Sequence, residues 1–167
     1  IDILFRSFII ISFCEELVKW LFTYVICWKD KNFNYVYDAI VYCVFISLGF
    51  ASIENLIAIL SNSGGFTLAL QRGLITVPAH AFFGIISGYY LGLAKKYEAR
   101  RWNKRKRKYI ILSLLIPIIV HGMFDSLLFL SSTASLLFAT ALIVYLYLSS
   151  ALKVVKTSSE AKKITRR

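Results

Sequence analysis

The chain has 167 residues, 58% of them hydrophobic and 17% charged, with a mean hydropathy of +0.67. Soluble domains average about 45–50% apolar and about 25% charged, so this composition argues for a single domain set in a membrane and against a soluble globular protein. The formal net charge of +11 invites a nucleic-acid reading, but its placement argues against one. The basic residues concentrate in a block from Lys95 to Lys108 and a tail from Lys153 to Arg167, outside the apolar runs, which is the positive-inside pattern of membrane proteins.

Five apolar segments follow one another: Ile3–Trp28, Tyr35–Leu60, Phe66–Ala94, Tyr109–Leu130 and Ala134–Leu152. Each is long enough for a spanning helix, since roughly 20 residues suffice at about 1.5 Å per residue, and none alternates with the period of a strand. The expected fold is therefore all-α, a polytopic transmembrane bundle of about five spans. Residues 1–152 form the membrane domain, with a basic loop at 95–108, and residues 153–167 form a basic tail. The chain starts at Ile1, without Met, and further helices are expected ahead of it. The first segment is too long for a signal peptide and lacks a small-residue cleavage site.

The first segment carries Glu15, Glu16 and, one turn on, Lys19. A carboxylate at membrane depth costs about 2.5–3.5 kcal/mol even on lenient insertion scales, so two in succession mark a functional site. Cys14, Cys27 and Cys43 form no C-x-x-C pair and read as packing residues. The second segment holds Glu54 and Asn55, with Asp38 near its start; Asp38 and Arg6, both near segment ends, read as structural.

The third segment holds Arg72 and then His80, Gly84, Gly88 and Gly92 at four-residue spacing. That spacing lines one helical face and lets another backbone approach closely. The fourth segment holds His121 and Asp125, one turn apart. The chain's only two prolines, Pro78 and Pro117, stand within about a turn of its only two histidines. Proline removes a helix hydrogen bond, and the coincidence points to an opened, wet cavity.

Charge sets the expected orientation. With the 95–108 block in the cytoplasm, every basic loop and the C-terminal tail lie inside, and the loops at 61–65 and 131–133 lie outside. Counting about 1.5 Å per residue from each entry point puts Glu15 about 18 Å deep, His80 about 20 Å and His121 about 18 Å. Three helices thus bring these groups to one level near the middle of a core of about 30 Å. Glu54, Arg72 and Asp125 fall further outward.

A carboxylate and imidazoles in a partly dry cavity can activate water as a general base and stabilise an oxyanion. That combination hydrolyses a peptide bond without a covalent intermediate. No serine or cysteine stands beside a histidine as an obvious nucleophile. Two histidines and two carboxylates among His80, His121, Glu54 and Asp125 also suit a zinc ion with an open position. Hydrolysis with a divalent metal and hydrolysis by glutamate with no cofactor both stay open. Ion or proton transport is a third possibility for such a cluster.

Four motifs in order carry a resemblance: Glu15-Glu16-Leu-Val-Lys19 as E-E-x-x-K, Phe50-Ala-Ser-Ile-Glu54-Asn55 as F-x-x-x-E-N, His80, and His121-Gly-Met-Phe-Asp125 as H-x-x-x-D. From about Cys14 to Leu128 the chain resembles the PrsW family of intramembrane proteases. The wider superfamily includes the CAAX-prenyl endopeptidases and immunity-related membrane proteases, whose first motif differs in its ending. A CAAX-protease-like processing or immunity protein is the alternative.

The resemblance implies a multi-pass protease of bacterial plasma membranes, acting on membrane-anchored proteins such as anti-sigma factors at the extracytoplasmic side. It implies that Glu15 activates water with Glu16 in support. Glu54, His80 and His121 complete the site, and Asp125 orients His121. Lys19 supports the site electrostatically, with Asn55 and Arg72 beside it. The partners it implies are the lipid bilayer and a membrane-anchored protein substrate; no nucleic acid is expected, and the oligomeric state is not legible.

Overall fold

The computed structural model describes residues 2–62 and 65–159. Ile1, the middle of the loop at 61–65, and Lys162, Lys163, Arg166 and Arg167 of the basic tail lie outside the described residues. All the described secondary structure is helical. Helix α1 (Asp2–Phe5) leads directly into a π-helical segment (Arg6–Phe13) and α2 (Cys14–Cys27). Then come α3 (Val36–Ser61), α4 (Gly65–Ala99), α5 (Asn103–Leu130) and α6 (Thr133–Ser159).

Helices α3 to α6 are each long and apolar enough to cross a membrane, by length and composition. The first apolar segment is helical throughout, but the π segment divides it into shorter pieces. Large apolar side chains stand outward along the bundle, with Leu60 77% exposed and Phe45 and Val25 each 73% exposed. A surface this apolar suits hydrocarbon rather than water.

The basic block is mostly helix rather than loop. α4 continues through Ala99 and α5 begins at Asn103, leaving a tight turn with Arg101 in the left-handed region at φ 59°. Lysine and arginine are good helix formers, so the helices outrun the apolar runs that suggested their ends. For the same reason α6 extends past Leu152 to Ser159.

Helix ends are capped where the sequence allows. The Asp38 carboxylate accepts from the backbone N–H groups of Asn34 and Tyr35, each at 2.8 Å. This satisfies donors that the start of α3 would otherwise leave open. Ser132 and Ser135 cap α6 reciprocally, at 3.0 and 3.1 Å. Asp38 is thus structural, as its position suggests, and the Arg6 guanidinium lies over the Phe129 ring at 4.9 Å.

The glycine face of α4 packs on α3. A Cβ added at Gly84 would sit 2.9 Å from the Cys43 carbonyl oxygen, one at Gly88 2.5 Å from that of Ala39, and one at Gly92 2.6 Å from that of Val36. Only glycine permits this approach, and it holds His80, one turn before Gly84, against α3. The π segment docks on α5 in a similar way: a Cβ at Gly122 would lie 2.5 Å from the Phe8 ring. Two apolar clusters complete the core. One gathers Trp28, Phe33, Cys43 and Leu91 at the end of the bundle nearest the basic turn. The other gathers Ala79, Phe83, Phe124 and Leu146 beside the histidines. Cys27 and Cys43 are buried and Cys14 is exposed; all three are free thiols.

Candidate active site

The two glutamates occupy different environments. Glu16 is 3% exposed, whereas the Glu15 side chain keeps 17% of its surface open. They stand next to each other on α2, about 100° apart around the helix, so one faces the bundle interior and the other its edge. Lys19, on the following turn, is 4% exposed and serves both. Its ammonium lies 3.2 Å from Glu15 Oε2, 2.8 Å from Glu16 Oε1 and 2.8 Å from His80 Nδ1. An ammonium has three donors and no acceptor, so these contacts use all of them. His80 then accepts at Nδ1 and carries its proton at Nε2, toward Glu54 Oε2 at 3.3 Å.

His121, 3% exposed, is held from both sides. Its Nδ1 lies 2.9 Å from Glu16 Oε1 and its Nε2 lies 3.4 Å from Asp125 Oδ2. The same glutamate oxygen thus meets Lys19 and His121. The Phe83 ring stacks on His121 with centroids 4.6 Å apart, and the two histidine rings meet edge to face at 5.3 Å. Phe50 packs near His80, with Lys19 over its face at 4.6 Å.

On the other side of His80, Glu54 Oε1 takes a hydrogen bond from the Arg72 guanidinium at 2.6 Å, and Arg72 Nε donates to Asn55 Oδ1 at 2.7 Å. Glu54 Oε2 is buried without a hydrogen bond, because the imidazole facing it is not aligned for one. An unbroken chain of polar contacts therefore runs Asn55, Arg72, Glu54, His80, Lys19, Glu16, His121, Asp125. Every candidate site residue named from the sequence belongs to it or, like Glu15, joins it through Lys19.

The chain of contacts links α2, α3, α4 and α5. Buried charge is tolerated only where partners satisfy it, which accounts for the density of contacts. Pro78 and Pro117 do not break their helices, which continue through both. Near Pro117, the Ser113 hydroxyl donates to the Ile110 carbonyl at 2.7 Å and accepts from the Trp20 indole at 2.8 Å, tying α5 to α2.

Among the described residues, Glu15, His80 and His121 each offer a ligand atom within 4.8 Å of the others. One carboxylate and two imidazoles are donor types that zinc accepts with a position left open, once His80 exchanges its Lys19 contact for the metal. The set differs from the four candidates His80, His121, Glu54 and Asp125. Glu54 is engaged by Arg72, and Asp125 backs His121 from its own helix, while Glu15 faces both imidazoles. Phe83 and the π segment were not legible in the sequence, whereas Phe50 opens the F-x-x-x-E-N motif. A phenylalanine three positions after His80 reads as ordinary core, and nothing in Arg6–Phe13 announces π geometry.

The helical bundle and its buried carboxylate–imidazole cluster define a multi-pass membrane protein with a site suited to hydrolysis. The family model described as PrsW family intramembrane metalloprotease matches residues 1–152, and the chain belongs to that family. Curated relatives agree. Protease PrsW of Halalkalibacterium halodurans is 42% identical over 129 residues, covering 77% of this chain and 57% of that protein. Protease PrsW of Clostridioides difficile is 33% identical over 165 residues, covering 98% of this chain and 68% of that protein. Protease PrsW of Bacillus subtilis is 37% identical over 124 residues, 74% of this chain and 54% of that protein. The chain thus spans between about half and two thirds of the length of these relatives. No solved structure gives a significant match.

Proposed function

We propose that this chain carries the active site of an intramembrane endopeptidase that hydrolyses a peptide bond in a membrane-anchored protein. The cut lies near the extracytoplasmic side, as in a first cleavage of an anti-sigma factor. One observation carries this reading: Glu15, His80 and His121, from three helices, converge within 4.8 Å, with Glu15 partly open. A bacterial plasma membrane location, with the basic turn and the C-terminus cytoplasmic, accords with the placement of the charges.

Glu15 acts as the base. It is the more open of the paired glutamates, whereas Oε1 of Glu16 is already engaged by Lys19 and His121. Glu15 takes a proton from water as the oxygen attacks the scissile carbonyl carbon, and later delivers it to the leaving nitrogen. His80 and His121 face the same space, and an N–H turned from its carboxylate partner would stabilise the developing oxyanion. Glu16 and Asp125 position His121; Lys19 and Glu54 position His80.

Glu15, His80 and His121 would hold a divalent metal such as zinc, which would polarise the carbonyl and ease deprotonation of water. The test is cleavage of a single-span substrate by the full chain in liposomes. Glu15→Gln and His121→Ala should each lower the rate at least about 100-fold. Intact cleavage in Glu15→Gln, Glu16→Gln and His121→Ala alike would remove the assignment. Proton-coupled flux without proteolysis would replace it with transport.

A further inference from the structure

A second site lies at the other end of α2. Where α2 ends, α3 begins and α4 ends, the chain forms a half-open cavity of about 610 Å³. That volume lies within the roughly 300–1,000 Å³ of small-molecule sites. Lys29, Lys31 and Lys95 line it together with Trp28 and Phe33. Of its acidic members, Glu98 is ion-paired and Asp30 holds a local turn. Asp30 Oδ1 accepts from the Asn32 backbone N–H at 2.7 Å, and Glu98 pairs with Lys95 at 3.4 Å and Lys106 at 2.5 Å. Lys29 and Lys31 are exposed, and neither has an ion-pair partner among the described residues.

The walls are preorganised. The Lys95 ammonium donates to the Trp28 carbonyl at 2.5 Å and lies 4.7 Å from the centre of the Trp28 ring. Trp20, Tyr24 and Trp28 stack in sequence at 4.8 and 5.0 Å, and Phe33 meets Trp28 edge to face at 6.2 Å. Trp28 is buried in the core, which holds this wall of the cavity in place. Apolar surface continues from the rim. Val25 and Ile26, 73% and 62% exposed, stand four and three residues before Lys29, on the helical face that leads to it.

We propose that this cavity binds the phosphate headgroup of an anionic phospholipid, with Lys29 and Lys31 contacting the phosphate and the acyl chains lying along Val25 and Ile26. Basic pockets at the ends of membrane helices hold anionic headgroups by this combination of charge and adjoining apolar surface. The lipid would brace the end of α2, the helix that carries Glu15, Glu16 and Lys19. The binding claim stands apart from the proteolytic reading.

The test is native mass spectrometry of the full chain in detergent, titrated with phosphatidylglycerol, with phosphatidylcholine and with inorganic phosphate. Phosphatidylglycerol should bind at least about tenfold more tightly than phosphatidylcholine. Lys29→Gln and Lys31→Gln should each weaken it about fivefold, corresponding to roughly 1 kcal/mol per lysine. Lys108→Gln, which removes equal charge outside the cavity, should change it less than about twofold. An equal loss in that control, or equal binding of phosphatidylcholine, overturns the proposal. Displacement of the lipid by millimolar phosphate also overturns it, by showing a free-anion site. Unchanged thermal unfolding of the lipid-free variants confirms that the exposed lysines act on binding and not on folding.

Discussion

Oε1 of Glu16 lies 2.9 Å from Nδ1 of His121, joining α2 to α5 across 105 positions of sequence. The same oxygen is 2.8 Å from Lys19, whose ammonium also reaches His80 on α4. Glu16 is therefore the internal anchor of the site, and its neighbour Glu15 is the carboxylate left partly open.

Lys19 should matter to folding as much as to chemistry. Removing one partner of a buried ion pair costs about 3–5 kcal/mol, because the other charge is left unpaired. Lys19→Met should lower unfolding stability in detergent by about that amount, and Lys19→Met/Glu16→Gln should recover a large part of it. A loss in Lys19→Met below about 1 kcal/mol would mean that the pair is solvated rather than buried.

The α3–α4 contact depends on glycine at position 88. In Gly88→Ala the new methyl would sit 2.5 Å from the Ala39 carbonyl oxygen and the Ile40 Cα. Overpacking of this kind costs about 1–3 kcal/mol. Gly73→Ala, where nothing lies within 4 Å, should be neutral or stabilising by roughly 0.5–1 kcal/mol, since alanine is the better helix former. Equal effects of the two changes on thermal unfolding would contradict the packing described.

Phe83 is 0% exposed and stacks on His121. Phe83→Ala should cost about 3–5 kcal/mol of stability. Phe83→Leu keeps most of the volume and should cost less than about 1.5 kcal/mol, while still lowering cleavage by freeing the imidazole. Full activity in Phe83→Leu would show that Glu16 and Asp125 alone hold the ring.

Zinc retention separates the metal ligands from their supports. In purified protein dialysed against a weak chelator, Glu15→Ala, His80→Ala and His121→Ala should each abolish retention measured by elemental analysis. Glu54→Gln, whose residue is bound to Arg72, should retain metal. Proteolysis by a protein shown to be free of metal would assign water activation to Glu15 without a cofactor.

Much of this arrangement is legible in one dimension. The length of each apolar run predicts a helix, and the rise per residue predicts its depth. That arithmetic alone brings Glu15, His80 and His121 to one level. The four-residue spacing from His80 to Gly92 predicts a face that another backbone can approach, and α3 occupies it. The motif order from Glu15 to Asp125 points to the family to which the chain belongs.

Helix period sets depth and face within a segment, but it carries no information about which faces meet. Only the tertiary structure decided that Lys19 reaches His80 on another helix while still holding Glu15 and Glu16. It also decided that Glu16 turns inward to His121, leaving Glu15 open. Two contacts far apart in sequence belong to this packing: Phe8 seated on Gly122, and Gly88 against Ala39. They set how closely the π segment approaches α5 and α4 approaches α3, which no helical period encodes.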